Sequence, residues 1–328
     1  MRELRVDPLT GLRAIVASDR ATRPGAGFVV EPAPPIDPGT DPFLEGHEDR
    51  TPPEVYAVRP DGGGPDTPGW TVRVVPNLYP ALSPDARIPD ADAQPDLFTA
   101  LPAGGTHEVV VNAPQPVSSL AALEPEQVVA AVDCWRDRVR HHRAGGAPCV
   151  HVIVNERKEA GASLPHTHAQ VYALEFVPAA IARERERFGA YQTRTMGGNL
   201  LADLVQDEVR RRERIVAVDD EAVLLAPYAS RQPYQLMIAP RRPRARFEDD
   251  GPTGARLLHD ALNRLGRVLG ALPPLNLWVR TAPEGADRFC WRIDIVPRLT
   301  HLAGLELGAG VHICTVAPEH AAAQLRDA

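Results

Sequence analysis

Apolar residues recur along this chain with two periods, and each period marks a different element. Short runs rich in Val, Ile and Leu, several with a polar residue at every second place, predict strands at residues 12–18, 72–76, 108–112, 150–154 and 171–176. After Pro125, which suits a first helical position, Val128, Val132, Trp135 and Val139 return at helical spacing and predict a long helix. Further on the spacing predicts helices over 178–192 and 199–212, broken at residues 196–198. A hairpin over 214–218 and 222–226 follows around Asp219 and Asp220, then a strand at 234–239 and a helix at 253–270. Strands at 275–280 and 290–296 complete the pattern. Residues 25–69 and 83–105 are dense in Pro, Gly and Asp and read as loops.

The order strand, strand, helix, strand, strand occurs twice. It predicts an α+β chain of two pseudo-symmetric halves, 1–177 and 178–328, sharing a mainly antiparallel sheet flanked by helices. The halves differ where chemistry is concentrated. The first ends in PHTHAQVYAL and the second in CWRIDIVPRL, so Arg292 and Asp294 lie roughly where the first half has histidines, and only the first half can carry histidine chemistry.

The block from Asn155 to Gln170 reads NERKEAGASLPHTHAQ. Strand residues two apart share a face, so His166, His168 and Gln170 are expected to project together as a row of ligand-like groups. Gly161 and Ser163, just upstream, sit in a loop whose amides and hydroxyl suit phosphate oxygens. A buried structural histidine pair is the plain alternative. The flanking strands and the small polar residues favour chemistry at phosphorus.

Composition narrows the setting. The chain has 328 residues, 44% of them hydrophobic, enough for a sizeable core. A net charge of -7 and a pI near 5.9, with no basic cluster interleaved with aromatics, argue against nucleic acid as a partner. The four cysteines are far apart and form no Cys-x-x-Cys pair, which suits a reducing cytoplasm rather than a disulfide framework. No apolar run is long enough for a membrane span, and none follows the amino-terminal charges as a signal peptide would, so a soluble protein is expected.

Several motifs in one order resemble the galactose-1-phosphate uridylyltransferases of the histidine-triad superfamily. They are RATRP at 20–24, DPFLEGHE at 41–48, RVVPNLYPAL at 73–82, the 155–170 block, APYASRQPYQLMIAPRR at 226–242, WRIDIVPRLT at 291–300 and LELGAG at 305–310. The resemblance covers nearly the whole chain and implies a duplicated histidine-triad-like fold. It places the family's nucleophile on His168 and its phosphate-contacting glutamine on Gln170. His166 is implied as the neighbouring active-site histidine, and Asn155, Gly161 and Ser163 as phosphate-binding and positioning residues. Asn77 falls in the nucleotide-binding segment. Arg20 and Arg23 match arginines that reach phosphates across a dimer, which implies a homodimer acting on nucleotide-sugar and sugar 1-phosphate substrates.

The implied reaction is ping-pong uridylyl transfer from UDP-glucose through a uridylyl-histidine to galactose 1-phosphate, in galactose metabolism. Gln170 cannot donate a catalytic proton, which suits a leaving group that is already a stable phosphate anion and favours transfer or phosphorolysis over hydrolysis. Two alternatives stay open: a phosphorylase acting on ADP-sugars or dinucleoside polyphosphates, and a non-catalytic nucleotide-binding protein.

The chain departs from the family at its metals. The structural zinc positions carry Asp41, Leu44, Pro116 and His166, too few donors for a zinc site, so neither a metal nor another cofactor is expected. Asp41 is instead expected to accept a hydrogen bond from His166. A second metal's positions carry Glu184, Arg280, Arg292 and Asp294, expected to form a salt-bridged cluster. The remaining histidines, His107 and His151 among them, have no motif around them and receive no role.

Overall fold

The computed structural model describes residues 2–19, 27–87 and 97–328. Its centre is a ten-stranded sheet built from β3 (Tyr56–Val58), β4 (Val72–Pro76), β5 (Gly105–Val111), β6 (Cys149–Glu156), β7 (His168–Leu174), β8 (Ile215–Val218), β9 (Ala222–Leu225), β10 (Leu236–Pro240), β11 (Leu275–Arg280) and β12 (Arg292–Pro297). The order across it is β3-β4-β5-β7-β6-β11-β12-β10-β9-β8, with every neighbouring pair antiparallel. Each edge therefore belongs to one half of the chain, and β6 meets β11 in the middle. A smaller sheet joins β1 (Arg2–Val6) and β2 (Arg13–Ala17) to β13 (Val311–Cys314), which runs parallel to β2.

Helices α1 (Pro125–Ala144) and α4 (Ala255–Leu269) cover one face of the large sheet. Val150, Val152 and Val154 of β6 turn toward this side, as do Ala169, Val171 and Ala173 of β7, and pack with Val128, Trp135, Leu258 and Leu262 in the main core. The alternate residues must then face the other way. Over the second half that opposite face is covered by α2 (Ala179–Thr195) and α3 (Leu200–Arg211), through a core of Phe188, Leu201, Val205, Met237 and Phe289. Asn199 caps α3 by accepting from the Ala202 amide, and Met196 ends α2 in the left-handed conformation.

Several elements differ from the expectation. β3 lies inside the stretch read as loop, and β1, β13 and two C-terminal helices, α5 (Gly304–Ala309) and α6 (Pro318–Arg326), carry too few periodic residues to be read. β7 begins at His168, three residues earlier than read, and His166 stands outside it, so the expected three-residue row is not formed. The reason is a bend: Thr167 gives its N–H to Val117 O while its carbonyl accepts from Asn112 N, which draws the chain away from the sheet before His168.

Candidate active site

On the face away from α1 and α4, β7 presents His168, Gln170 and Tyr172. The register places Gln170 beside Ile153, then Trp278 and Asp294, in one row across β7, β6, β11 and β12. A second row holds His107, Tyr172 and His151, the last on the strand next to β11, where Arg280 pairs with Arg292 of β12. Asp294 thus shares a row with Gln170 rather than with His168.

His168 is 6% exposed. Its Nδ1 donates to the carbonyl of His166 at 2.7 Å, which leaves the Nε2 lone pair unused by that bond. Burial lowers its pKa, against the raising pull of that carbonyl, so the ring is a neutral base near pH 7. Phe43 packs edge-on against it at 5.4 Å and belongs to the small cluster of Trp70, Val75, Val109 and Val111. The DPFLEGHE segment therefore packs directly against the His168 ring.

His166 is spent on structure. Its Nδ1 meets Asp41 Oδ2 at 2.7 Å and its Nε2 meets the carbonyl of Ala113 at 2.8 Å, with ring and carboxylate enclosed. Both nitrogens face acceptors. Burial by itself would raise the Asp41 pKa, but the bond and charge of His166 and the Phe43 amide hold it below the usual carboxylate range. The Asp41–His166 contact expected from the sequence is present, while a direct chemical role for His166 is not available to a ring so engaged.

Gln170 Oε1 receives two hydrogen bonds, from His107 Nε2 and from the Tyr172 hydroxyl, each at 2.9 Å. His107 Nδ1 accepts from the Ala81 amide, which fixes the tautomer that donates to Gln170. Its ring stacks on Tyr172 with centroids 4.0 Å apart. With the oxygen held twice, the Gln170 amide NH2 is the end left to face a substrate. Asn77 comes within 3.2 Å of His107 Nε2 and uses its Oδ1 to accept from the Tyr79 amide, so it closes the NLYPAL turn beside Gln170. His107 and Tyr172 were missed from sequence. The available signal was a polar residue within each of two apolar strands that pair with one another.

Asn155 Oδ1 accepts from Asn276 Nδ2 at 2.7 Å across the β6–β11 seam, and Asn276 also bonds the Ala160 carbonyl. These residues stand beside a groove of about 320 Å³ that Trp278, Gln232, Arg298 and His312 also line. Gly161 has φ +94°, which a side chain would strain, and its N–H is used within the turn by Lys158 O. The Ala162 amide is likewise taken by Arg157 O, so the expected ring of loop amides for phosphate is reduced. Ser163 is exposed, and its hydroxyl makes no hydrogen bond among the described residues. Arg20 and Arg23 lie outside the described residues.

Neither family metal fits the residues present. Leu44 and Pro116 offer no donor, and both His166 nitrogens are engaged. At the second set, Glu184 pairs with Arg280 at 3.2 Å and with Arg292 at 2.9 Å, and Asp294 accepts from Arg292 at 3.0 Å and from Trp278 Nε1 at 2.8 Å. This is the cluster expected from the sequence, with two guanidiniums where a cation would have to sit. Among the described residues, no three His, Cys, Asp or Glu side chains gather as a metal site.

The family model for the N-terminal domain of galactose-1-phosphate uridyl transferase matches residues 1–178, and a domain of unknown function, DUF4921, matches residues 106–328. ADP-glucose phosphorylase of Arabidopsis thaliana is 28% identical over 99% of this chain and 92% of its own length. Galactose-1-phosphate uridylyltransferase of Cryptococcus neoformans is 27% identical over 85% and 74%. The crystal structure of an Arabidopsis thaliana ADP-glucose phosphorylase with bound ADP-glucose superposes with a TM-score of 0.82 and 27% identity, covering 100% of this chain and 99% of that one. A uridylyltransferase structure superposes with a TM-score of 0.75 and 25% identity, over 100% and 98%. The chain belongs to the galactose-1-phosphate uridyl transferase family and is an enzyme of nucleotidyltransferase type.

Proposed function

We propose that this enzyme passes a nucleotidyl group from a nucleotide sugar to a phosphate-bearing acceptor through a covalent adduct on His168, and that its pair of substrates is ADP-glucose and inorganic phosphate. In the first step His168 Nε2 attacks the α-phosphorus, the bond from that phosphorus to the bridging oxygen breaks, and glucose 1-phosphate leaves with the bond's electrons. In the second step a phosphate oxygen attacks the adenylyl-histidine and displaces His168, giving ADP. The observation that carries the chemistry is the 2.7 Å bond from His168 Nδ1 to the His166 carbonyl, which aims a neutral Nε2 outward. Gln170, its oxygen held by His107 and Tyr172, offers its NH2 to charge developing on the phosphoryl oxygens. Ser163, Asn155, Gly161 and Asn77 shape the phosphate and nucleotide ends of the same site.

The choice of ADP-glucose is supported by the match to an ADP-glucose phosphorylase over 99% of the chain. Uridylyl transfer from UDP-glucose to galactose 1-phosphate is the second reading, favoured by the family model and the uridylyltransferase relatives. Both use the same nucleophile. The reading also takes residues 1–177 as the half that carries the chemistry, and a cytoplasmic homodimer in which Arg20 and Arg23 reach the partner's phosphates, checked by sedimentation equilibrium.

Intact mass spectrometry after incubation with ADP-glucose or UDP-glucose separately, with His168→Ala as control, tests the reading. An acid-labile adenylyl adduct on the wild type alone is expected. A uridylyl adduct selects the second reading, and no adduct with either donor overturns the covalent mechanism.

A further inference from the structure

Beside the Glu184 cluster, three strands from His168, the chain encloses a cavity of about 110 Å³. Arg183, Arg231, Arg280 and Arg292 border it, against Asp7, Glu184 and Asp294. The carboxylates are already paired, Glu184 Oε2 by ion pairing with Arg292 and without a hydrogen bond. Glu184 faces Arg280 and Arg292, Asp294 accepts from Arg292 and Trp278, and Asp7 accepts from the Leu9 amide and the Thr10 hydroxyl. The guanidiniums are not all occupied. Arg292 is 2% exposed, and its Nη1 has no hydrogen-bond partner. Arg231 makes no side-chain hydrogen bond or ion pair among the described residues and lies 5.3 Å from the Trp278 ring centre. Burial lowers its pKa from the ordinary arginine value, with the charges of Asp294 and Asp7 opposing that shift.

An unmet donor on a buried guanidinium, as at Arg292 Nη1, is costly, and guanidinium donors, those of the partly buried Arg231 included, are the type that matches tetrahedral oxyanions. We propose that this cavity binds a small inorganic oxyanion of the phosphate class, held by Arg231 and by Nη1 of Arg292. The cavity has room for several waters, and so for the five heavy atoms of a phosphate. The family's second metal position is thereby inverted in sign: carboxylates that would bind a cation are neutralised by Arg280 and Arg292, and the charge left over is positive. Row spacing sets the cavity's Asp294 about 14 Å from Gln170, so an anion against Arg292 is distinct from one at His168, although Arg231 and Trp278 border both this cavity and the groove beside Asn155.

The test has two arms. Anomalous diffraction from crystals grown with selenate locates the ion, and phosphate-dependent melting at constant ionic strength is measured for the wild type, Arg231→Gln and Ser163→Ala. The expected result is an anomalous peak within hydrogen-bond distance of Arg231 and Arg292 Nη1. With it, the phosphate response persists in Ser163→Ala and is about tenfold weaker in apparent affinity in Arg231→Gln. No peak in the cavity overturns the proposal. A peak combined with identical melting responses in the wild type and Arg231→Gln means an adventitious ion only, which also overturns it. Should Arg231→Gln fail to fold, Arg231→Lys replaces it, expected to retain a weaker response through its single charge; a response equal to the wild type's would count as the adventitious outcome.

Discussion

Nδ1 of His166 stands 2.7 Å from Oδ2 of Asp41, joining two residues 125 positions apart with both side chains enclosed. Because the carbonyl of the same His166 accepts from His168 Nδ1, the pair is linked to His168 through one peptide unit. Asp41→Ala would leave the ring's Nδ1 facing a void and is expected to cost about 3–5 kcal/mol. It should also slow adduct formation on His168 more than it weakens substrate binding. The Asp41 pKa is depressed, so its stabilisation is fully present above the ordinary aspartate value of about 3.9 and is lost as pH falls through the lower folded value. Urea unfolding of wild type and variant checks this, and an unchanged midpoint would refute it. Elemental analysis of purified protein is expected to find no zinc that depends on His166.

His107→Phe and Tyr172→Phe each remove one of the two donors to Gln170 Oε1. Each is expected to lower kcat about tenfold with little change in KM, since the amide loses its orientation rather than its presence. The double variant should fall short of the product of the two effects, because both act on one side chain. Steady-state kinetics of the three variants decides it. A rise in KM alone would place the two residues in ground-state binding instead.

Glu156, 2% exposed, accepts from the Leu120 amide and the Ser119 hydroxyl, and burial outweighs those bonds to raise its pKa to about 7. The unfolded chain releases this proton near pH 4.3, so stability falls as pH rises from there to about 7 and is level above. Glu156→Gln keeps the uncharged shape. It is expected to match the wild type near pH 4 and to exceed it by about 3 kcal/mol at pH 8, as read by denaturant unfolding across that range. Equal stability at pH 8 would show that the carboxyl ionises there without penalty.

Arg292 is the hub of the second cluster, paired with Glu184 and Asp294. Burial by itself would lower its pKa, but Asp294, Glu184 and Asp7 raise it overall, so the charge persists. Arg292→Ala strands two buried carboxylates and is expected to cost about 3–5 kcal/mol, against near zero for exposed Arg2→Ala. Thermal unfolding compares them. Similar melting temperatures would mean that Glu184 and Asp294 find other partners.

Nine of the ten strands of the large sheet, all but β3, the two repeated orders of strands and helices, and the pair His168 and Gln170 were legible in residue order alone. Periodicity is a local property, and a motif two residues apart on one strand needs no fold to share a face. Residue identity alone also shows that two of the family's zinc positions, Leu44 and Pro116, carry no donor. How those residues are employed depended on contacts made by the folded chain. His166 was expected to share a strand face with His168, but a bend at Thr167, held by Asn112 and Val117, took it out of that row, and only its contact with Asp41 followed expectation. His107 has no motif, and it met Gln170 because antiparallel pairing of β5 and β7 brought residues 63 positions apart within 2.9 Å, whereas Tyr172 reaches Gln170 from two residues along the same strand. Strand register and burial are set by contacts between distant segments, and they assign a side chain its protonation, its free atom and hence its role.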